Sequence, residues 1–372
     1  MKSFKYIFLK ILKPVLWSVM AVLIFTIGTI AAQSDEKADL VVDFIDVGQG
    51  DAELLRSGGA VMLIDTGTPE SGTAIRLFLK KQGVEKLDYL VLTHPDADHI
   101  GGAASVITNV PVGQVLMPDY TKDNEIYQGV INALKYKNLK ARAPQVGETL
   151  TLGDCTVKVL GPIDHYDEPN NNSIILKATC GNTSFMFVGD AEEPELHDVT
   201  IRYGRDLDSD VYKVGHHGSY NSSSEEFLNM VSPEYAVISC AEGNDYGHPH
   251  VESLQRLMNV GAHLFRTDKQ GTITIRSDGE TLSFETAPCD DFTPGEPVLS
   301  FQSVANAVEA GTAPGTIGDE NYKYVKNTNT LRFHLPQCDS VKDMKEKNKE
   351  YSNQTKEEII AEGYKPCDRC RP

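Results

Sequence analysis

The segment Leu92–Gly102 (LTHPDADHIGG) constrains this chain more than any other part of it. Two imidazoles and two carboxylates fall within six positions, at His94, Asp96, Asp98 and His99. The apolar run Leu87–Thr93 leads into them and a glycine pair follows, which predicts that they stand where a buried strand ends. Polar side chains crowded in such a place are costly to desolvate unless a cation lies between them. The segment therefore predicts a metal site, and the alternative is a polar surface loop.

Two later segments repeat this combination of a strand end, glycine and a metal-binding side chain. In Phe187–Asp190 (FVGD) a glycine lets the backbone bend before Asp190, although that carboxylate could instead cap a helix beginning near Glu192. In Val214–Ser219 (VGHHGS) glycines flank two adjacent histidines. One such histidine is often structural, but two of them in a chain that already contains the first segment favour a functional site.

The hydrophobic pattern predicts two strand-rich halves. Short β-rich runs recur before residue 95 and again from about residue 150, and helices are predicted at Glu193–Tyr203, Ser223–Met230 and Val251–Val260. A hairpin about Asp278–Gly279 ends the second series. This order favours a layered sandwich in which helices cover two sheets.

The N-terminal residues differ in composition from this body. Four lysines precede Val15–Ala32, a stretch without a charged residue. Residues 1–36 are therefore predicted to be a signal peptide or an N-terminal membrane anchor, which would place the remainder outside the cytoplasm, secreted or anchored to the membrane. Residues 288–321 contain spaced Gly, Pro and Ala with little periodicity and are predicted to be a linker.

The charge distribution argues against a nucleic-acid substrate. The net charge is −18, and residues 322–372 contain eleven Lys and Arg against eight Asp and Glu, so the tail carries +3 and the rest about −21. Such a body repels a phosphate backbone at long range. A nucleic acid would then need local cations, either bound metals or the basic tail.

Six of the seven cysteines fall into two groups, and Cys289 belongs to neither. Cys155, Cys180 and Cys240 adjoin apolar runs, so buried thiols are favoured over disulfides. His334 and three cysteines of the tail (Cys338, Cys367 and Cys370) have the spacing of a Cys₃His zinc site, which would stabilise a small C-terminal module at 322–372. The alternative is a disulfide, Cys367–Cys370 or Cys338–Cys367, as an exported protein could contain.

The three metal-site segments belong to a longer series of motifs. With Phe44–Ala52 (FIDVGQGDA), Leu63–Gly67 (LIDTG) and Tyr246–His250 (YGHPH) they resemble the metallo-β-lactamase-fold hydrolases, and most closely the hydrolase domain of ComEC-like DNA-uptake proteins. The resemblance covers about residues 40–287. It implies an α+β fold, a four-layer αββα sandwich, followed by a small C-terminal zinc-binding domain that itself resembles the module of Ada-type DNA-repair proteins.

The resemblance also implies a ligand set for two divalent metal ions, Mn²⁺ or Zn²⁺. His94 and Asp96 would bind one metal, Asp98 and His99 the other, Asp190 would bridge, and His216 would complete the second site. Asp65 would order the loop from behind. Asp98 would also orient a metal-activated water and accept its proton, while His217 and His248 would hold a phosphate oxygen or protonate the leaving group. His248 and His250 could instead be residues that begin the helix at Val251.

Two departures from the wider superfamily concern the metal. Asp96 stands where many members have a second loop histidine, and Asn170–Ser173 (NNNS) stands where they supply another. Fewer imidazoles would favour manganese over zinc. Asn172 could offer only a neutral oxygen or a hydrogen bond to substrate.

Together these patterns predict an exported metal-dependent hydrolase, a phosphodiesterase or nuclease acting on DNA, with no nucleotide cofactor. Basic and aromatic residues of the tail would help to hold the DNA: Lys323, Lys326, Arg332, Phe333, Lys365, Arg369 and Arg371. One alternative is a cell-surface esterase for a small phosphorylated group such as phosphorylcholine, or for a lactone. Another is a DNA-binding or scaffold protein whose hydrolase site is vestigial.

Overall fold

The computed structural model describes residues 39–295 and, in the tail, residues 323–372 apart from 337, 343, 368, 369 and 371. The predicted signal peptide or anchor and most of the predicted linker lie outside these residues. The chain divides into two compact units, Met1–Pro297 and Val298–Pro372. In the parts that the structure describes, no helix combines the length and apolar character needed to cross a bilayer.

The described part of the first unit contains two mixed β-sheets. The strands of the first sheet are β1 (Leu40–Phe44), β2 (Glu53–Ser57), β3 (Ala60–Ile64), β4 (Leu87–Val91), β5 (Val112–Leu116), β6 (Ala141–Arg142), β14 (Ile273–Ser277) and β15 (Leu282–Phe284). Those of the second are β7 (Thr149–Leu152), β8 (Cys155–Gly161), β9 (Ile175–Cys180), β10 (Thr183–Phe187), β11 (Val211–Lys213), β12 (Tyr235–Ile238) and β13 (His263–Arg266). Their orders are β15-β14-β1-β2-β3-β4-β5-β6 and β13-β12-β11-β10-β9-β8-β7.

The strands form because their side chains are buried on both faces. In β3, Met62 and Ile64 enter the core between the sheets, whereas Leu63 points to the helices outside. In β10, Phe185 likewise faces the other sheet and Met186 faces outward. Successive residues of a strand point to opposite faces, so a strand covered on both sides has a continuous apolar sequence rather than an alternating one.

Helices cover the outer face of each sheet. The helices beside the first sheet are α1 (Ser71–Lys81), α2 (Ala97–Ile100), α3 (Ala103–Asn109) and α4 (Glu125–Tyr136). Those of the second half are α5 (Glu193–Tyr203), α6 (Glu225–Val231), α7 (Val251–Asn259) and the short α8 (Thr267–Gln270). The layers follow the order helix, sheet, sheet, helix, and the predicted α+β fold, a four-layer αββα sandwich, is confirmed.

The topology brings polar loops to one edge of each sheet. Strands β3 to β6 are parallel in the first sheet, and β10 to β13 are parallel in the second. The carboxyl ends of parallel strands meet at the same edge of a sheet, which is where such folds place their functional loops. The loops after β3, β4, β10, β11 and β12 contain the motifs described above.

The expectation of three buried thiols is wrong for two of them. Cys155 and Cys180 face each other on the adjacent strands β8 and β9, with Cα atoms 4.5 Å apart, and form a disulfide in the core. The two cysteines lie far apart in the sequence, so the pairing follows from strand register rather than from local spacing. Cys240 is a buried free thiol, as predicted.

The second unit contains a small four-stranded sheet in its described residues. Its strands are β16 (Tyr324–Asn327), β17 (Arg332–His334), β18 (Lys349–Ser352) and β19 (Lys365–Pro366), in the order β18-β16-β17-β19. Two helices accompany it, α9 (Asp339–Lys342) and α10 (Lys356–Ala361). The Thr355 hydroxyl accepts a hydrogen bond from the Glu358 backbone and the Glu358 side chain accepts one from Thr355, a reciprocal cap that starts α10. Few apolar residues form the core, which includes Val325, Phe333 and Ile359.

Candidate metal centre

The carboxylate of Asp190 lies at the centre of four histidines. The Nε2 atom of His99 is 3.1 Å from its Oδ1, and those of His94, His216 and His217 are 3.9, 3.6 and 3.6 Å from its Oδ2. All except His216 are almost completely buried. The loop after β4, the loop after β10 and the loop after β11 therefore meet at one carboxylate, as the sequence predicted.

Unusual backbone conformations aim these side chains. Gly189 has a φ of 52°, which turns the chain sharply so that Asp190 enters the site, and a Cβ there would lie 2.9 Å from the Thr93 hydroxyl. His216 and His217 have φ values of 49° and 54°. Non-glycine residues adopt this left-handed conformation at a cost, which the surrounding structure must offset. Both rings consequently point back toward Asp190 instead of following the strand direction.

Asp65 orients His99. Its Oδ1 accepts a hydrogen bond from the Thr93 backbone at 2.8 Å, and its Oδ2 accepts one from the Thr93 hydroxyl at 2.6 Å and one from His99 Nδ1 at 2.7 Å. When a cation replaces the second proton of this ring, the proton that stays on Nδ1 leaves the lone pair on Nε2, which faces Asp190. The expectation that Asp65 acts from behind the loop agrees with these contacts.

Asp51 lies beside His217, and sequence reasoning missed it. His217 Nδ1 is 3.2 Å from Asp51 Oδ1 and donates to the Ser239 carbonyl at 3.0 Å. Lys213 donates to Asp51 Oδ2 at 2.8 Å, and both of these side chains are buried. Glu53 lies in the same charged cluster. The sequence did contain a pattern that could have identified Asp51. A glycine, Gly50, directly precedes it, as Gly189 precedes Asp190.

Asp190, His99 and His217 hold one another in their ionised forms, whereas His94 stays neutral. Burial disfavours protonation of His99, but the negative charges of Asp190 and Asp65 outweigh it and raise its pKa well above the usual value. Burial likewise opposes protonation of His217, whereas Asp190 and Asp51 raise its pKa to about 10. Burial alone would raise the pKa of Asp190, but the histidines lower it well below its usual value. Burial and the charge of His99 lower the pKa of His94 to about 4.

The site has the donor atoms that a divalent metal needs. His94 Nε2, His99 Nε2, His217 Nε2, Asp190 Oδ1 and Asp51 Oδ1 are buried and have no hydrogen-bond partner. Buried polar atoms in native proteins are normally paired, so unpaired atoms that converge on one place indicate an absent ligand. One ligand atom each from Asp51, His99, Asp190 and His217 lies within 4.8 Å of the others, which fits a cation bound by imidazole and carboxylate.

The two aspartates of the first motif lie at different places. Asp98 Oδ2 is 3.3 Å from His217 Nε2, at the margin of the cluster. Burial would raise the pKa of Asp98, but the adjacent His217 imidazole and the charge of His99 lower it. Asp96 is part-exposed and its Oδ1 accepts a hydrogen bond from Lys122 at 2.7 Å. The structure thus brings Asp98 into the site and gives Asp96 a cationic partner instead.

The remaining predicted residues lie on one side of the cluster. The His248 ring is 5.6 Å from the His216 ring and 6.0 Å from the His217 ring. His250 is the residue that precedes α7, where its Nδ1 accepts a hydrogen bond from the Tyr220 backbone. The alternative of a helix-start residue therefore fits His250 and not His248.

Asn172 has a structural role in place of the substrate contact considered for it. Its amide nitrogen donates to the carbonyls of Tyr166 and Glu168, at 2.8 and 2.9 Å, and its oxygen accepts from the Tyr166 backbone. The side chain is buried with its hydrogen-bonding groups satisfied by this loop. A substrate could use it only by displacing those bonds.

The C-terminal unit contains a second group of ligands. His334, Cys338, Cys367 and Cys370 each offer a ligand atom within 4.8 Å of the others. The three cysteines are thiols rather than the disulfides considered as an alternative, and the buried His334 Nδ1 has no hydrogen-bond partner. A Cys₃His set of this kind fits zinc.

The basic surface predicted for the tail is weaker than expected. Lys326 is buried and pairs with Glu350 and Glu362, and Phe333 is a core residue, so neither is available to DNA. Arg369 and Arg371 lie outside the described residues. A lysine or aromatic residue on a strand cannot be assigned to the exposed face without knowing which face the core covers.

Comparison with known proteins gives consistent similarities. The profile of the metallo-beta-lactamase superfamily matches residues 45–242. ComE operon protein 3 of Bacillus subtilis is 32% identical over 269 residues, which cover 66% of this chain and 34% of that protein. Competence protein ComA of Neisseria gonorrhoeae is 34% identical over 230 residues (61% and 31%), and recombination protein 2 of Haemophilus influenzae is 28% identical over 254 residues (66% and 30%). The chain spans about a third of the length of these curated relatives.

Proposed function

Since the chain belongs to the metallo-β-lactamase superfamily, in the branch of the ComEC-like competence proteins, we propose that it is a metal-dependent phosphodiesterase that cleaves DNA outside the cytoplasm. The observation that carries the hydrolase proposal is the convergence of unpaired, buried imidazole and carboxylate atoms on Asp190. The names of the competence and recombination relatives support DNA as the substrate.

The residues proposed to hold the metals are His94, His99, Asp190, His216 and His217, with Asp51 and Asp98 as further carboxylate ligands. Asp96, which the resemblance implied as a ligand, would join them only by giving up its ion pair with Lys122. Divalent cations bound there would supply Lewis-acid stabilisation of a phosphoryl oxygen and a more acidic water. Manganese was favoured because of Asp96; the four imidazoles around Asp190 add support for zinc.

The protein's own groups have separate tasks in this proposal. Asp65 and the Ser239 carbonyl keep the protons of His99 and His217 on Nδ1, so that both Nε2 atoms remain directed at Asp190. Asp98, whose Oδ2 is 3.3 Å from His217 Nε2 at the margin of the cluster, would orient the attacking water and accept its proton. His248 adjoins the His216 and His217 rings and would hold a phosphate oxygen or protonate the leaving oxygen.

The proposed location has one support within the fold. The core disulfide Cys155–Cys180 is typical of proteins in oxidising compartments, since cytosolic thiols are kept reduced. It agrees with residues 1–36 being a signal peptide or an anchor. The C-terminal thiols would persist there if a zinc ion held them.

The test is nuclease activity of the purified full chain. Single- and double-stranded DNA are incubated with Mn²⁺, Zn²⁺, Mg²⁺ or chelator, using wild type, His99→Ala and Asp190→Ala. Tyr136→Ala, a change at an exposed residue of α4, is the matched control. Metal-dependent cleavage by wild type and the control, lost in both site variants, is the expected result. Bound metal without hydrolysis of any phosphodiester would instead favour a scaffold protein with a vestigial site.

A small-molecule ester is the second candidate, and the charge of the chain favours it. A net charge of −18 repels a polyanion but scarcely affects a small neutral or zwitterionic substrate. Glycerophosphocholine and a simple lactone therefore accompany DNA in the assay. Hydrolysis of either one by a preparation inactive on DNA would select this candidate.

A further inference from the structure

Tyr246 is an exposed aromatic residue next to the metal centre, and the proposed mechanism does not use it. Its side chain is 63% exposed, whereas His248 and His250 of the same loop are 5% and 8% exposed. The Tyr246 ring stacks on the His248 ring with centroids 5.5 Å apart and planes inclined by 20°. His248 in turn lies beside the His216 and His217 rings. One face of Tyr246 is thus supported by the site while much of the ring meets solvent.

The loop holds this ring in place. The side-chain oxygen of Asn244 accepts hydrogen bonds from the backbone N–H groups of Tyr246 and His248. Its side-chain nitrogen donates to the backbone carbonyls of Ala241 and His248. His250 Nδ1 accepts a hydrogen bond from the Tyr220 backbone, so the proton of its neutral ring lies on Nε2, which donates to the Tyr246 carbonyl at 3.1 Å. A ring fixed before binding loses little entropy when a flat ligand stacks on it.

Electrostatic attraction is a poor means of holding a strand here. The lysines that touch carboxylates of the site are already paired, Lys122 with Asp96 and Lys213 with Asp51. Arg256 donates to the backbone carbonyls of Tyr220 and Ser222. An acidic protein that cleaves DNA therefore needs a means of binding that does not depend on charge. Stacking of bases on aromatic side chains is such a means, and it tolerates any sequence.

On this basis we infer that Tyr246 is the stacking platform for the base next to the scissile phosphodiester of single-stranded DNA. This inference rests on the proposed nuclease function and deepens it. We infer single-stranded rather than double-stranded DNA because a base inside a duplex already stacks on its neighbours, so its face is not free to stack on Tyr246. Tyr246 would then contribute to substrate specificity. A phosphodiester with no base or other planar group beside it could not make the stacking contact.

The experiment compares wild type, Tyr246→Ala, Tyr246→Phe and the control Tyr136→Ala, all as the full chain. Binding of a fluorescent single-stranded dT decamer and of an abasic decamer with the same phosphates is measured by anisotropy, with Ca²⁺ in place of Mn²⁺. Cleavage of the dT decamer and of glycerophosphocholine is measured with Mn²⁺. The exposure of Tyr246 makes the alanine variant a conservative change for folding.

The expected result is selective. Tyr246→Ala weakens binding of the dT decamer about tenfold, and by the same factor at low and high salt, because a stacking contact releases no counterions. Its affinity for the abasic decamer and its activity on glycerophosphocholine equal those of wild type. Tyr246→Phe and Tyr136→Ala bind like wild type.

Equal losses on the two decamers, or no loss on either, would overturn the inference. A parallel loss on glycerophosphocholine would overturn it as well, because the ring would then serve a quaternary ammonium through a cation–π contact. A wild type that cleaves no DNA would refute the proposed nuclease function itself. A wild type that cleaves DNA, with Tyr246→Ala unchanged, would refute only the stacking platform.

Discussion

Lys213 donates a hydrogen bond of 2.8 Å to Asp51, and both side chains are about 1% exposed. The ion pair lies directly behind His217, whose Nδ1 is 3.2 Å from the other oxygen of Asp51. Burial lowers the pKa of Lys213, but the charges of Asp51 and Glu53 more than offset it, so the pKa is raised and the ammonium stays charged. A buried cation thus compensates the charge of a carboxylate that lies beside a metal-site histidine.

Replacing Lys213 with Met should destabilise the protein strongly. The methionine fills a similar volume but leaves Asp51 buried without its counter-charge, and breaking a buried pair in this way costs about 3–5 kcal/mol. The free energy of unfolding from urea titration at pH 7 measures it. Arg142→Met is the matched control, because Arg142 pairs with Glu148 on a part-exposed edge and such a pair contributes less than about 1 kcal/mol. Equal losses in the two variants would contradict the prediction.

Asp65→Asn should weaken metal binding more than it weakens the fold. Asparagine keeps the size of the side chain and can still accept from Thr93, but its amide group cannot accept the His99 Nδ1 proton. His99 then loses its preferred tautomer, and the loss of a hydrogen bond that orients a metal ligand costs about 10–100-fold in metal affinity or activity. Competition with a chromogenic chelator gives the affinity directly.

The control for Asp65 is Asp43→Asn in strand β1. Asp43 is equally buried and accepts hydrogen bonds from Arg56 and Thr274, so the same substitution should lower stability and leave metal affinity at the wild-type value. If the two variants bind metal equally well, Asp65 has no orienting role.

Removing the metals should lower the melting temperature. A ligand that binds only the folded state stabilises it by about 2.7 kcal/mol at a concentration 100 times the dissociation constant. Wild type and Tyr136→Ala should therefore melt higher with metal than with chelator. In Asp190→Ala this difference should largely disappear, since Asp190 is the carboxylate that all four histidines face. Retention of the full metal-dependent shift in Asp190→Ala would show that the metals bind elsewhere.

Local sequence patterns predicted the sandwich and the strand ends of the site because those depend on short-range signals. Apolar runs followed by glycine correctly indicated β3, β4, β10 and β11, and the histidines and carboxylates after them meet at Asp190. The pairing of β14 with β1, at opposite ends of the unit, depends on register that no local pattern contains. The Cys155–Cys180 bond was missed for the same reason.

Partners buried behind the ligands were the other part that the sequence did not reveal. Asp51 lies within one recognised motif and Lys213 directly precedes another, but their contact spans 162 positions and joins the loop before β2 to strand β11. Asp96 and Asp98 are two aspartates of the same motif, and the sequence does not distinguish their roles. Only the three-dimensional structure shows that Lys122 forms an ion pair with Asp96. Motif composition identified the chemistry of the site, whereas the division of roles required the three-dimensional structure.

The C-terminal cluster should bind one zinc ion independently of the hydrolase site. Cys367→Ser removes one of its four ligands and should reduce the zinc content by one equivalent per chain, measured by elemental analysis after removal of loosely bound metal. Cys289→Ser is the control, because this thiol belongs to neither ligand group. Because a zinc site in so small a unit contributes directly to its folding, proteolysis should cut the tail of Cys367→Ser faster. Unchanged zinc content in Cys367→Ser would refute the site.

Glu195→Gln should change how stability depends on pH. Glu195 lies in the first turn of α5 with its carboxyl group fully buried. Neither oxygen has a hydrogen-bond partner, and a Cβ at Gly161 would lie 2.5 Å from Oε1. Burial, helped by the charge of Asp198, raises the pKa of Glu195 well above its usual value. The folded state therefore keeps a proton that the unfolded chain releases above about pH 4.3.

Because the folded state binds more protons in that range, stability should fall as the pH rises from about 4.3 toward the folded pKa, by up to about 1.4 kcal/mol per pH unit from this group. Glutamine cannot ionise, so Glu195→Gln should not lose this stability as the pH rises. The buried amide adds a cost that does not depend on pH. The difference in free energy of unfolding, Glu195→Gln minus wild type, should therefore become more positive with rising pH. Urea titrations from pH 4 to pH 8 measure the difference. Glu193→Gln, at an exposed position of the same helix, should follow the wild-type profile. Parallel profiles for wild type and Glu195→Gln would mean that this carboxyl group ionises in the folded protein as it does in the unfolded chain.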